Sequence, residues 1–369
     1  MSFCFGKGRI KVVLGTSWVD ILREELHLFL GSDRRREMRI GERYYQGKHD
    51  ILERKKTVVG PGGRLEECKH LQNSRVVDNQ YARVVDQKVS YLLGKPLTIR
   101  TEREGFSGPL LELFGPDFQR KLRLVAEDAL NAGIGWLHPC YDGRGNLKFR
   151  RIAPWELKPF WADDAKTELE GAIRVYQRER GGGMPADTVV EHFSPEGICC
   201  FVDCEGEFRM ERGIRPYFAS AEGAGVWPGV PLIPFRAGFR EISLAGSPNQ
   251  MAIQSMYADM DLDAGVMEIE FQAAFRELMS FVCAHLERSG MPGLSPGEVE
   301  VIFHWDVLIN ETENIENCIR SASILSRETI LCQHPWTRDV EKEMRRIAGE
   351  ATEKAARERK EISIWGVPM

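Results

Sequence analysis

The stretch "VDNQYARVVDQKVSYLLGKPLTI", Val77–Ile99, decides the fold through its Gly94-Lys95 pair. A Gly-Lys pair that cradles phosphate belongs to a strand–loop–helix nucleotide domain; one that ends a helix does not. Val77, Tyr81, Val84, Val85, Val89 and Leu92 recur at helical spacing. Gly94 then occupies the C-terminal cap position, and Pro96 stands two residues beyond it. The phosphate loop needs an earlier Gly at the Gly-x4-Gly-Lys spacing and a Ser or Thr after the Lys. Here Val89 holds the first position and Pro96 the last, and proline offers neither an N–H nor a hydroxyl. The order is also reversed, because a phosphate loop precedes its helix and uses the helix's N-terminal N–H groups. Gly94-Lys95 is therefore expected to end a helix.

Working outward, residues 17–31, "SWVDILREELHLFLG", predict a helix with Ser17 as cap and Gly31 as stop. Residues 32–56 are polar and strongly basic, a solvated helix and loop or a basic contact surface for a neighbouring subunit or DNA. "TVVGPGGRL" (57–65) reads as a turn-rich linker. From 97 to 250 strand-like pieces alternate with turns, around a helix "FQRKLRLVAEDALNAG" that ends at Gly133. "YDGRGNLKF" reads as a hairpin. From Asn249 onward the chain turns helical. Met267, Phe271, Ala274, Phe275, Leu278, Phe281, Val282 and Leu286 form a wide apolar face there. "GMPGLSPGE" breaks that helix, "EVEVIF" alternates like a short strand, and further helices follow, one capped by Asn310 and one by Ser326. The last, polar helix is laced by Glu341–Arg345, Glu350–Lys354 and Glu353–Arg357 pairs. The fold class is α+β.

The 369 residues suffice for two or three domains, and 43% hydrophobic with 28% charged content is that of a globular chain. No stretch approaches the roughly 18 to 20 apolar residues of a membrane span. The opening "MSFCFGKGRI" lacks the apolar core of a signal peptide, so a cytoplasmic chain is expected. Nine scattered cysteines suit free thiols. A net charge of −5 argues against a tight nucleic-acid grip, which needs a basic excess to neutralise phosphates.

Reactive clusters are few. Cys199, Cys200 and Cys204 with His192 offer only one zinc-like spacing, without the second pair of a zinc knuckle. Asp259, Asp261 and Asp263 resemble a calcium loop, and Glu270 fits its twelfth position, but Ala264 stands where the loop's glycine belongs. Acids near a helix start explain them better. Asp163 and Asp164 fit a turn, the histidines are isolated, and no nucleophile is paired with a base. No catalytic, cofactor-binding or metal-ligating residue is expected.

Three long segments carry a resemblance: "DILREELHLFLGSDRRREMRIGERYYQGKHDILERK", "VVDNQYARVVDQKVSYLLGKPLTI" and "ALNAGIGWLHPCYDGRGNLKFRRIAPWELKPFWADDAKTELEGAIRVY". With "GSPNQMAIQSMYADMDLDAG" through "NETENIENCIRSASILSRETILCQHPWTRDVEKEM", they resemble, in order, the portal proteins of long-tailed bacteriophages, especially those of Gram-positive hosts. The resemblance implies a dodecameric ring at one capsid vertex, through which double-stranded DNA enters and leaves without sequence specificity. It implies no ATPase, cofactor or membrane. Terminase, head-completion and scaffolding or capsid proteins are the implied partners, in the virion and, during assembly, the host cytoplasm.

The resemblance also implies parts: a wing at 1–245, a stem helix at 252–290, a clip at 291–311, a second stem helix and tunnel-loop region at 312–335, and a crown-like helix at 336–369. Met267, Phe271, Phe275, Leu278, Val282 and Leu286 are the expected subunit interface. Val299, Val301 and Phe303 are the expected partner-binding clip residues; Gln333, His334 and Arg338 are expected to face the channel. One departure stands out. After the strand near residue 235, relatives continue with a helical segment, strands and another helix, whereas "RAGFREISLA" here leads almost directly to the long helix. An internal deletion is the expectation. A remnant that no longer assembles is one alternative, and a nucleotide- or metal-dependent enzyme is another.

Overall fold

Asn79 opens the helix that Gly94 closes. Its side chain accepts a hydrogen bond from the Ala82 N–H at 3.1 Å, and the helix runs Gln80–Leu93 with Gly94 as C-cap. It starts later than its periodicity suggests, because Asn79 caps it and leaves Val77 outside. The computed structural model describes residues 18–68, 73–180, 185–204, 207–217, 227–238, 250–305, 311–334, 336–337, 340 and 342–350. Ser17, Asn310, Arg338, Glu341, Glu353, Lys354 and Arg357 lie outside the described residues, as does 239–249 of the short connection.

The described chain divides into two compact units, 1–306 and 307–369. The first opens with α1 (Trp18–Leu30) and α2 (Asp33–Tyr45), whose cap Ser32 accepts from the Arg35 N–H. A hairpin of β1 (Thr57–Val59) and β2 (Leu65–Glu67) follows, where the sequence had suggested only a linker. Then come α3 (Gln80–Leu93), β3 (Thr98–Thr101), α4 (Ser107–Leu113) and α5 (Pro116–Ala132). Gly133 ends α5 at φ +77°, a left-handed conformation that suits glycine.

Two antiparallel sheets form the β portion. β4 (Ile134–Tyr141) and β5 (Leu147–Ile152) are the expected hairpin; Asp142 accepts from the Arg144 and Asn146 N–H groups in its turn. β11 (Ile233–Arg236) adds to β4. The larger sheet is a meander of β6 (Leu157–Trp161), β7 (Leu169–Arg178), β8 (Asp187–Ser194), β9 (Gly197–Cys204) and β10 (Glu207–Arg215), with β6 and β10 at its edges. The spacing of Leu22, Leu26 and Phe29 lays one face of α1 on this sheet, against Ile173, Val190 and Phe201.

α6 (Gln250–Arg288) is one continuous helix of 39 residues, and β12 (Val299–Ile302) follows it. β12 pairs antiparallel with β3, Val301 opposite Ile99, about two hundred positions back in the chain. α6 and β12 share the main core with α3, α5 and β4: Phe271, Phe275 and Phe303 pack with Phe114, Phe118 and Phe235. This corrects the expected parts. The segments assigned to a stem (252–290) and a clip (291–311) are, through residue 305, built into the same core as the wing.

The second unit holds α7 (Glu311–Ser321), α8 (Arg327–Gln333) and helical residues 342–350. Ser326 caps α8 as expected, accepting from the Thr329 N–H at 3.2 Å. The Cys318 thiol donates to the Ile330 carbonyl across α7 and α8.

Candidate assembly site

The long helix α6 carries apolar residues on two opposite faces. At roughly 100° per residue, Met267, Phe271, Phe275, Leu278, Val282 and Leu286 fall on one face. All six are buried in the chain's own core, none more than 5% exposed. They are not a surface open to a second copy, which corrects the expected subunit interface. The physical reason is that β12, α3 and α5 of the same chain already cover this face. Leu262, Val266 and Ile269 fall on the opposite face at spacings of four and three, and all are exposed. Sequence reading missed them because it counted only the wider stripe.

Polar contacts hold α6 in this orientation. Lys88 of α3, itself buried, pairs with Asp263 at 2.7 Å, and the Tyr91 hydroxyl donates to Asp261. Asp261 and Asp263 thus bolt α6 to α3. At the other side, the Trp305 indole N–H donates to Glu268 at 2.7 Å, Gln272 donates to the Val301 carbonyl at 2.7 Å, and Thr98 bonds His304. The Lys95 amine donates to the Trp305 carbonyl at 3.4 Å. The Gly-Lys pair therefore ends one helix and steadies the strand that follows another.

The expected clip residues separate. Val301 and Phe303 are buried in the core, so they present no docking surface; Gln272 and the aromatic rings of Phe271 and Phe275 occupy their surroundings. Val299 is half-buried and lines an open cleft of about 1440 Å³ with Arg100, Arg103, Arg276, Glu298 and Glu300. Of the expected channel residues, Gln333 is the exposed last residue of α8, and His334 caps it with its ring 5.7 Å from Trp336.

Cys199 and Cys200 do not converge. His192 and Cys199 stand opposite each other on β8 and β9, with Sγ 3.8 Å from Nδ1. Strand alternation sends Cys200 to the other face, where its thiol donates to Glu211. Burial pushes the Cys199 and Cys200 thiols up to about 11, away from the thiolate a metal needs. Beside α6, Glu277, Glu270 and Arg236 line a cavity of about 710 Å³, and burial pushes the Glu277 carboxyl up to about 7, opposed by Arg236.

Leu262, Val266 and Ile269 thus form an exposed apolar stripe on a helix whose other face is fixed in the chain's own core. Comparison with known proteins gives the family. The family described as "Phage portal protein, SPP1 Gp6-like" matches residues 31–217 and 243–357, and the chain belongs to it. It is similar to a portal protein of Bacillus phage SPP1, 20% identical over 85% of this chain and 84% of the relative. It is also similar to a portal protein of Clostridium phage phiCD119, 27% identical over 86% of this chain and 94% of the relative. The family is a structural one, and its members are capsid-associated oligomers of the portal vertex. No helix among the described residues is long and apolar enough to cross a membrane.

Each alignment runs over more positions than this chain has residues. It covers 422 positions with the first relative, against the roughly 314 residues that make 85% of 369. It covers 430 with the second, against roughly 317 that make 86%. Subtracting, about 110 positions of each alignment have no residue of this chain opposite them. The family match is itself interrupted between 217 and 243.

Proposed function

We propose that this chain is a non-enzymatic portal subunit that forms a closed ring around a channel for double-stranded DNA. The observation that carries this reading is the co-linear family match on both sides of the interruption. By resemblance the ring is a dodecamer in the virion, assembled in the host cytoplasm with scaffolding or capsid proteins. An acidic net charge of −5 supports a conduit along which DNA moves without adhering. Gln333, His334 and Arg338 are placed toward the channel on the resemblance alone.

The 1–306 unit corresponds to the ring's body. Because α6 and β12 belong to that body, the projecting stem and clip of relatives fall, on this reading, in the stretch this chain lacks. Their helix–strands–helix continuation after the β11 position supports that placement. Terminase and head-completion proteins, which dock on the clip of relatives, then find a reduced surface here. The missing positions also favour a second reading, a body that no longer assembles.

Electron microscopy of the purified chain, with native mass spectrometry, separates the two. A closed ring with a central hole is the expected result. A chain that stays monomeric at high concentration overturns the ring. Co-purification with a phage terminase tests docking: weak or absent binding by assembled rings is expected, and a tight complex would return the clip to this chain.

A further inference from the structure

Within the first unit, α1, α2, β4, β6 and β11 enclose a cavity of about 650 Å³. Its lining is mainly apolar: Phe29, Met38, Ile134, Trp136 and Leu157 contribute to it, and none is more than 8% exposed. Alternation along β6 puts Leu157, Pro159 and Trp161 on one face, toward the cavity. Trp161 stacks on Trp136 with ring centroids 6.1 Å apart. A concave, aromatic-lined space of this size suits a small molecule. Pro159 on the edge strand opposes the alternative, pairing of a further strand with β6.

The charged part of the lining is all cationic. Arg34, Lys158, Lys166 and Arg236 line the cavity, and no carboxylate does. Lys158 is already paired with Glu25. Arg34, Lys166 and Arg236 form no ion pair among the described residues. Asp163, in the same loop as Lys166, turns its carboxylate to the Thr167 and Glu168 N–H groups, both at 2.8 Å. Arg236 also lines the cavity that holds Glu277, without an ion pair between them. Two of the three cations are fixed in advance. The Arg236 guanidinium lies over the Trp161 ring, 5.1 Å from its centroid, and donates to the Lys166 carbonyl. Lys166 has φ +59°, the only positive φ of a residue other than glycine among the described residues, and its N–H donates to the Asp163 carbonyl at 3.2 Å. Strain of this kind collects at ligand sites, and pre-set charges lower the entropic cost of binding an anion.

We propose that this cavity binds a small apolar organic anion. Its hydrocarbon body lies against Met38, Trp136 and Leu157, and its carboxylate or sulfonate meets Arg34, Lys166 and Arg236. Only residues of the first unit take part, so the site stands whether or not the ring forms. The test titrates the full-length chain with 2-naphthoate and with its uncharged amide, 2-naphthamide, by isothermal titration calorimetry at neutral pH. Naphthoate should bind at one site per chain, about tenfold or more tighter than the amide. Arg236→Gln should weaken naphthoate by about tenfold and leave the amide unchanged. Thermal melting checks that this variant folds. Arg34→Gln combined with Lys166→Gln changes only exposed side chains and should discriminate in the same way. Ala165→Trp fills the cavity from an exposed position and should abolish binding of both probes. Naphthoate that fails to bind at about 1 mM overturns the site. Equal binding of the acid and the amide overturns the anionic class. Binding that survives Ala165→Trp puts the probe elsewhere and overturns the assignment to this cavity.

Discussion

Arg151 reaches Asp128 with both arms of its guanidinium, Nε and Nη2 each donating at 2.5 Å. Asp128 is almost fully buried in α5, and burial pushes its carboxyl up to about 6, with Arg151 pulling the other way. Replacing the arginine, as in Arg151→Leu, strands a carboxylate in the interior. The expected loss is about 3–5 kcal/mol at pH 8, seen as a lower urea midpoint, and part of it should return on acidification as Asp128 takes up a proton. Glu277 is another carboxyl raised by desolvation, half-buried in the cavity it shares with Arg236. Its folded form holds a proton up to about 7, against 4.5 for an ordinary glutamate. The folded state therefore binds more protons across that window, and stability falls as pH rises through it. Glu277→Gln removes the cost. It should melt higher than wild type at pH 8, by on the order of 2 kcal/mol, with the difference vanishing near pH 4. Neither residue was legible in advance. Asp128 and Glu277 look like ordinary polar positions of amphipathic helices until burial is known. The Gly94-Lys95 pair was legible because its neighbours forbid the alternative.

At the scale of elements, close approach decides what periodicity cannot. Gly41 lies in α2 where that helix crosses α5, and a Cβ there would fall 2.2 Å from the Asn131 carbonyl oxygen. Gly135 of β4 stands in the same relation to the Val125 carbonyl of α5. Both obstructions are backbone atoms, which cannot swing aside. Gly41→Ala must push the helices apart, with an expected loss of about 1–3 kcal/mol in chemical denaturation and more for Gly41→Val. In the sequence Gly41 is only a weak helix former in a charged run, so nothing marks it as a contact. The helices α1, α5 and α6 and the β4–β5 hairpin were readable because caps, glycine stops and apolar spacing agreed. The β1–β2 hairpin was read as a linker because its turn is longer than the two-residue signal and neither strand is buried. β6 escaped notice because Pro159 argues against a strand; it is tolerated at the sheet edge, where one side of the ladder is open.

At the scale of the whole molecule, an apolar stripe states that something covers it, not what. The α6 face from Met267 to Leu286 fits a neighbouring subunit and an internal core equally well from sequence. The structure decides for the core through β12, whose partner β3 lies far upstream and could not be inferred from local pattern. The consequence separates a self-packed body from a body with a detachable clip. All three apolar clusters of the first unit end at or before Trp305. A chain stopped after residue 306 should therefore keep one cooperative thermal transition, within a few degrees of the same transition in the full chain. A chain stopped after Gly290 loses Leu294, Val301 and Phe303 from the core and the only strand paired with β3 among the described residues. Losing Phe303 alone corresponds to about 3–5 kcal/mol, so the Gly290 truncation should lose its cooperative melt and its near-ultraviolet dichroism. If instead it melted like the longer chain, residues 291–306 would be a separable clip after all, and α6 would owe its orientation to α3 and α5 alone.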